Sequence, residues 1–263
     1  MKGLSALWAG SSQTKEAEVN RRIELGCAWS CVVGVVLLLI GFWPIAALLP
    51  VPPADYGAAN IATFYQDHTN RLRLGLFITL VGMGGFGPIT ALITRQMLRM
   101  KPRQPTLAYL QLAAGTVGWV FLFLPILMMS ATAYRPDRSP EVTQSLHDMS
   151  FFILVMDFVP FFVQYVAIAA AVFSDRSPTP IFPRWVAYLS LWVALAFIPT
   201  GVITFFRTGP FTYSGILGFY IPLVMFSVWL LVMPYAVYRA IRDEVPPADE
   251  SSPAATGLMP GNH

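Results

Sequence analysis

Six long runs of apolar residues with almost no charge inside them constrain this chain more than any other feature. They fall at Leu25–Leu49, Leu72–Leu98, Leu107–Ala131, Met149–Phe173, Trp185–Phe206 and Ile216–Tyr238. Each reaches the roughly 20 residues that an α-helix needs to cross a bilayer. A bilayer core offers no water to backbone N–H and C=O groups, so such runs must satisfy themselves as helices. Composition agrees. The 263 residues are 56% hydrophobic and 12% charged, against about 25% charged in soluble domains. The expected fold class is all-α: a polytopic membrane helix bundle with six transmembrane helices.

Three regions follow. Residues 1–24 read as a polar cytoplasmic N-terminal segment, residues 25–240 as the six-span domain, and residues 241–263 as a disordered cytoplasmic tail. The tail is rich in proline, serine, alanine and acid and has little to bury. The first run is too long for a signal-peptide core and follows a polar leader, so it reads as an uncleaved span. The loops, about 10 to 20 residues each, are short for a soluble catalytic domain.

Basic residues set the expected orientation. With the N-terminus inside, the inner segments hold Lys2, Lys15, Arg21, Arg22, Arg95, Arg99, Lys101, Arg103, Arg176, Arg184, Arg239 and Arg242. The outer loops hold Arg71, Arg73, Arg135, Arg138 and Arg207. That division is 12 against 5 of the chain's 17 basic residues, so both termini are expected on the cytoplasmic side. The net charge of +3 is spread over loops, and no aromatic-and-basic stripe suggests nucleic acid.

Two short motifs suggest a parallel hairpin repeat. AYLQL (Ala108–Leu112) and AYLSL (Ala187–Leu191) are 79 residues apart, as are His68 and His147. Cys27 and Cys31, at i and i+4, share one helix face and read as small buried packing residues.

Three groups are candidate sites. Asp157 stands in FFILVMDFVPFFVQ (Phe151–Gln164), about eight residues and so roughly 12 Å into its span. An ionisable group at that depth is costly unless partnered, and it marks a function by default. Pro160 and Gln164 share its face, and Pro160 cannot donate to the Met156 carbonyl. Asp157 is therefore expected as a polar anchor with Gln164 as its partner. The alternative is a packing hydrogen bond. The second group is LVGMGGFGPITAL (Leu80–Leu92). Its glycines, with Gly84 and Gly85 at their centre, either unwind the helix near a ligand or admit another helix closely. The third is at the outer face: Asp67 and His68 before span two, and His147 and Asp148 before span four. If those spans are neighbours, the four side chains suit zinc, iron or copper, or a haem between two imidazoles. Solvated or capping roles compete with that reading. Arg207 is a candidate for an anionic headgroup or carboxylate.

FPRWVAYLSLWVALAFIP (Phe182–Pro199) and FFRTGPFTYSGILGFYIPL (Phe205–Leu223) resemble a group of six-helix bacterial integral membrane proteins with no assigned activity. The resemblance covers mostly the last third of the chain. It implies a bacterial cytoplasmic (inner) membrane location and supplies no site residues.

The leading expectation is a protein that binds or moves a small or lipidic ligand through a bundle cavity. A membrane redox or metal enzyme using His68 and His147 is one alternative. An accessory subunit of a membrane complex is the other. The lipid bilayer is the expected environment, with a homodimer or a membrane partner as further candidates. The sequence names no cofactor and leaves open whether the chain is an enzyme.

Overall fold

The structure, a computed structural model, describes residues 2–244, with side chains from residue 17. The expectation for the tail therefore lies mostly outside the described residues. The described residues are 79% helical and include no strand. Its α-helices are α1 (Lys2–Ile40), α2 (Ala58–Asp67), α3 (Thr69–Met83), α4 (Phe86–Arg99), α5 (Pro105–Tyr134), α6 (Pro140–Met156), α7 (Phe158–Ser174), α8 (Arg184–Phe197) and α9 (Ile221–Arg242). Among the described residues, six continuous helical stretches are long and apolar enough to cross a membrane: Ala17–Ile45, Thr69–Arg99, Pro105–Tyr134, Pro140–Ser174, Arg184–Phe205 and Ile216–Arg242. The protein is a multi-pass, all-α membrane bundle.

The spans form a ring. Each packs against its sequence neighbours, and α9 closes onto α1. Large apolar side chains point outward, including Trp29, Phe77, Trp192 and Phe205. A surface this apolar fits a lipid environment and not water. An even number of crossings brings residues 17 and 244 to one face, here the terminal face; the other is the distal face.

Four features depart from the sequence reading. α1 takes the polar leader and the first span into one helix. α2 is a short amphipathic helix on the distal face that packs on α6. The fourth span begins at Pro140 and not near Met149. It is also broken: α6 stops at Met156 and α7 starts at Phe158. Pro160 explains the restart. In the third position of α7 its missing N–H would have had no partner in that helix, whereas in an unbroken helix it would cost a backbone bond.

The second span breaks at Gly84–Gly85, between α3 and α4. The indole of Trp119 on α5 donates to the Met83 carbonyl at 2.8 Å, covering an acceptor that the break leaves free. The same stretch also lies very close to α1. A Cβ on Gly82 would meet the Gly34 carbonyl at 2.6 Å, and one on Gly85 would meet the Ser30 backbone. Gly41 and Gly75 face each other in the same way. The helix is thus interrupted at these glycines, and they admit a neighbouring helix closely.

Ion pairs tie the terminal face. Arg95 pairs with Glu24 at 2.9 Å and with Glu244 at 3.0 Å, and Arg99 reaches Glu244 at 3.3 Å. Spans one, two and six thus meet through one cluster. Asp175 joins the two terminal-face loops. Its carboxylate accepts from the backbone N–H groups of Lys101, Ser177 and Ile181 and from the Ser177 hydroxyl. On the distal face, Arg71 donates to the Pro44 and Ile45 carbonyls and Arg73 to those of Ala133 and Tyr134. Cations suit helix C-termini, where carbonyls lack partners. These two arginines cap spans one and three.

Candidate ligand cavity and its surroundings

A cavity of about 90 Å³ lies at the centre of the ring. All six spans line it, for example through Val35, Met83, Leu122, Val155, Phe197 and Leu223. Its few polar lining groups are already bonded within their own helices. Thr79 donates to the Gly75 carbonyl, Thr200 to Phe197 and Ser227 to Leu223. The wall therefore presents apolar surface. Phe161 contributes an aromatic corner: its ring lies 5.7 Å from that of Phe197 and 5.2 Å from that of Phe226.

Asp157 is the residue between the two halves of span four and is 6% exposed. It does not face lipid. Leu154 and Phe161, three positions before it and four after, both line the cavity, whereas Asp157 itself is not among the lining residues. Its Oδ2 has no hydrogen-bond partner among the described residues. The hydroxyl of Tyr165, two turns on, is buried and equally unpaired. Tyr165 packs among Phe161, Phe197 and Trp229.

Gln164 has a different partner from the one expected. Its amide donates to the Gln111 side-chain oxygen at 3.3 Å, and Gln111 in turn donates to the Thr90 carbonyl and the Thr94 hydroxyl. This buried network joins spans two, three and four. Gly115 lies directly against the Gln164 amide and leaves it room. Gly85 is taken up by Ser30, and Gly84 is exposed. Gln164, Gly84 and Gly85 are not among the residues that line the cavity.

The histidines occupy separate places. Span three lies between spans two and four. His68 sits at the junction of α2 and α3, half-buried, with Nδ1 donating to the Phe64 carbonyl at 3.0 Å. His147 lies inside α6, fully buried, with Nδ1 paired to the Tyr65 hydroxyl at 3.3 Å and Nε2 unpaired among the described residues. Burial pushes the Tyr65 phenol well above its ordinary range, so it stays protonated. Asp67 is exposed, and Asp148 accepts from the Tyr213 hydroxyl at 3.0 Å. Among the described residues no three His, Cys, Asp or Glu side chains gather around a common point.

A second, larger cavity of about 760 Å³ opens on the distal face. The loop at Ala54–Gly57, the first turns of α6 and the loop at Thr204–Tyr213 enclose it, and Arg207 and Asp148 are among its walls. Sequence reasoning had named Arg207 and Asp148 but not Tyr213 or Asp55, which complete the wall. Tyr213 could be found only through its neighbours, since nothing in FTYSG sets it apart.

Comparison with protein families, with curated proteins and with solved structures returns no match to this chain. The functional reading therefore rests on the geometry.

Proposed function

We propose that this protein sits in a bacterial cytoplasmic membrane with both termini inside, and that it binds or moves a small or lipidic ligand through the cavity at the centre of its ring. The supporting observation is that cavity. All six spans contribute to its wall, and the wall's own polar groups are satisfied internally. A dry apolar void of roughly 150 Å³ in a soluble protein takes up benzene or xenon. A space of about 90 Å³ suits a slimmer group such as a segment of hydrocarbon chain. Asp157, buried in span four between the lining residues Leu154 and Phe161 in sequence and carrying an unpaired oxygen, is the polar anchor of this reading. An unpaired buried polar group carries a desolvation penalty of about 1–3 kcal/mol. A hydroxyl or amine of the ligand relieves it.

Native mass spectrometry of protein released from lipid nanodiscs tests this reading. Wild-type protein is expected to retain a bound lipid or other small molecule. Leu122→Trp, which fills the cavity, is expected to lose it while folding. Equal retention by the two proteins rejects the central site.

A further inference from the structure

The distal cavity differs from the central one in chemistry. Its wall carries charges of both signs: Asp55 and Asp148 against Arg207. Arg207 makes no ion pair among the described residues, and neither does Asp55. Asp148 is held by Tyr213 through Oδ1, and its Oδ2 forms no hydrogen bond among the described residues. Burial, and then the neighbouring Asp148 carboxylate, keep the Tyr213 phenol well above its ordinary range, so it remains a donor that fixes the carboxylate. Tyr56 and Phe206 add aromatic faces, on which an ammonium group is attracted. A guanidinium is the side chain best shaped for phosphate or carboxylate. The wall is therefore complementary to a zwitterion, with the anion on Arg207 and the ammonium on Asp148 and Asp55.

The two cavities are stacked. On span four, Phe152 lines the distal cavity and Val155 the central one; on span five, Thr204 lines the distal and Thr200 the central. Three or four helical residues correspond to about 5–8 Å. Phe151 bridges them. It stacks on Tyr213 of the distal wall at 5.2 Å and meets Phe219 of the central wall edge-on at 6.2 Å. The membrane level also fits. Span four has 35 residues, about 52 Å of helix, against a hydrocarbon core of roughly 30 Å. Its first turns, which carry Gln144 and Asp148, thus reach the headgroup layer.

A polar, doubly charged chamber at headgroup depth above an apolar chamber at hydrocarbon depth is the shape of an amphiphile. We infer that the distal cavity is a binding site for the zwitterionic headgroup of a membrane lipid, an ammonium and a phosphate, whose chain lies toward the central cavity. This inference rests on the central-cavity reading for the chain and on independent residues for the headgroup.

The experiment uses the full chain in nanodiscs of equal phosphatidylethanolamine and phosphatidylglycerol, with retained lipid counted by native mass spectrometry. Wild-type protein is expected to retain phosphatidylethanolamine in preference. Arg207→Ala and Asp148→Asn are each expected to lower that retention about tenfold, the size of one lost charge-assisted hydrogen bond, and to abolish the preference. Asn at 148 still accepts from Tyr213, and Arg207 is exposed, so both variants should unfold at the wild-type temperature. Unchanged preference in both variants overturns the headgroup site and leaves the central cavity standing. Loss in these variants with no loss in Leu122→Trp or the milder Val155→Phe supports the headgroup site and rejects the central reading. A parallel titration with soluble O-phosphoethanolamine separates the sources. Binding as tight as the lipid's overturns the lipid assignment in favour of a soluble zwitterion.

Discussion

Asp157 carries the sharpest prediction at the scale of single residues. Its side chain is buried and one oxygen is unpaired among the described residues, so it contributes little to holding the fold. Replacing an unsatisfied buried polar group with an apolar one of similar size is near neutral or stabilising. Asp157→Leu is therefore expected to unfold at or above the wild-type temperature. Asp157→Asn keeps the shape and the hydrogen-bonding edge but cannot carry charge or exchange a proton. If the acid serves only as a hydrogen-bond anchor, Asn retains the ligand and Leu does not. If it holds a cation or proton, neither variant works. A fall in melting temperature of more than several degrees in both variants would instead make Asp157 a packing residue. The sequence exposed Asp157 because a carboxylate stands out among apolar neighbours. It did not expose Tyr165 or Tyr213, because an aromatic ring in or beside a membrane helix looks ordinary until its hydroxyl is seen without a partner or on a carboxylate. Gln164 was legible as a buried amide, but its partner lay on another span. Local spacing favoured Asp157, while the ring places Gln111 against it.

The spans themselves were the most legible elements, since length and hydropathy decide them one at a time. Breaks were harder to read. The Gly84–Gly85 break had a compositional signal, and its helix contact with α1 explains why glycine is needed there. Gly82→Leu should drive a side chain into the α1 backbone. Overpacking of that kind costs about 1–3 kcal/mol where neighbours can shift, and here the neighbour is backbone. A fall in melting temperature and in detergent-soluble yield is expected; wild-type values would show that α1 and α3 separate readily. Trp119→Phe should be milder, about 1 kcal/mol, because it removes one donor from the Met83 carbonyl and little volume. At the terminal face, Asp175 links two loops. Burial raises its pKa, but the hydrogen bonds from Ser177, Ile181 and Lys101 outweigh burial and hold it below the ordinary value of 3.8. A depressed folded-state pKa contributes stability above the unfolded value and loses it as pH falls through the folded one. Wild-type melting temperature is thus expected to drop below about pH 4 more steeply than that of Asp175→Asn. Parallel pH curves for the two proteins would show that this carboxylate does not couple the loops. The AYLQL and AYLSL motifs open α5 and α8 in the same register, with alanine inward, tyrosine outward and a buried polar fourth residue in each. The histidine pair does not follow that register, since His68 caps a helix and His147 lies inside one.

For the whole molecule, the order of spans around the ring was beyond the sequence, because an apolar helix packs acceptably against many others. What selects the order is spread over distant residues: Glu24, Arg95 and Glu244 at the terminal face, and Thr90, Gln111 and Gln164 within the bundle. Orientation is a separate matter, governed by charge and not by packing. By sequence, the segments on the N-terminal side of the spans hold 12 basic residues and those on the other side 5. Two of those five, Arg71 and Arg73, cap helix ends by donating to backbone carbonyls. Retention of Lys and Arg on the cytoplasmic side then favours the terminal face inside. Reporter fusions at Pro102, in the loop before α5, and at Pro140, at the start of α6 on the opposite face, give the readout. A cytoplasmic reporter active at Pro102 and silent at Pro140 is expected, with the complementary reporter reversed. That result places the distal cavity toward the outer leaflet, where a lipid headgroup would enter from the periplasmic side. The opposite pattern would turn the whole ring over. The same cavity would then draw on the inner leaflet, and any movement of ligand through the ring would run against a different membrane face.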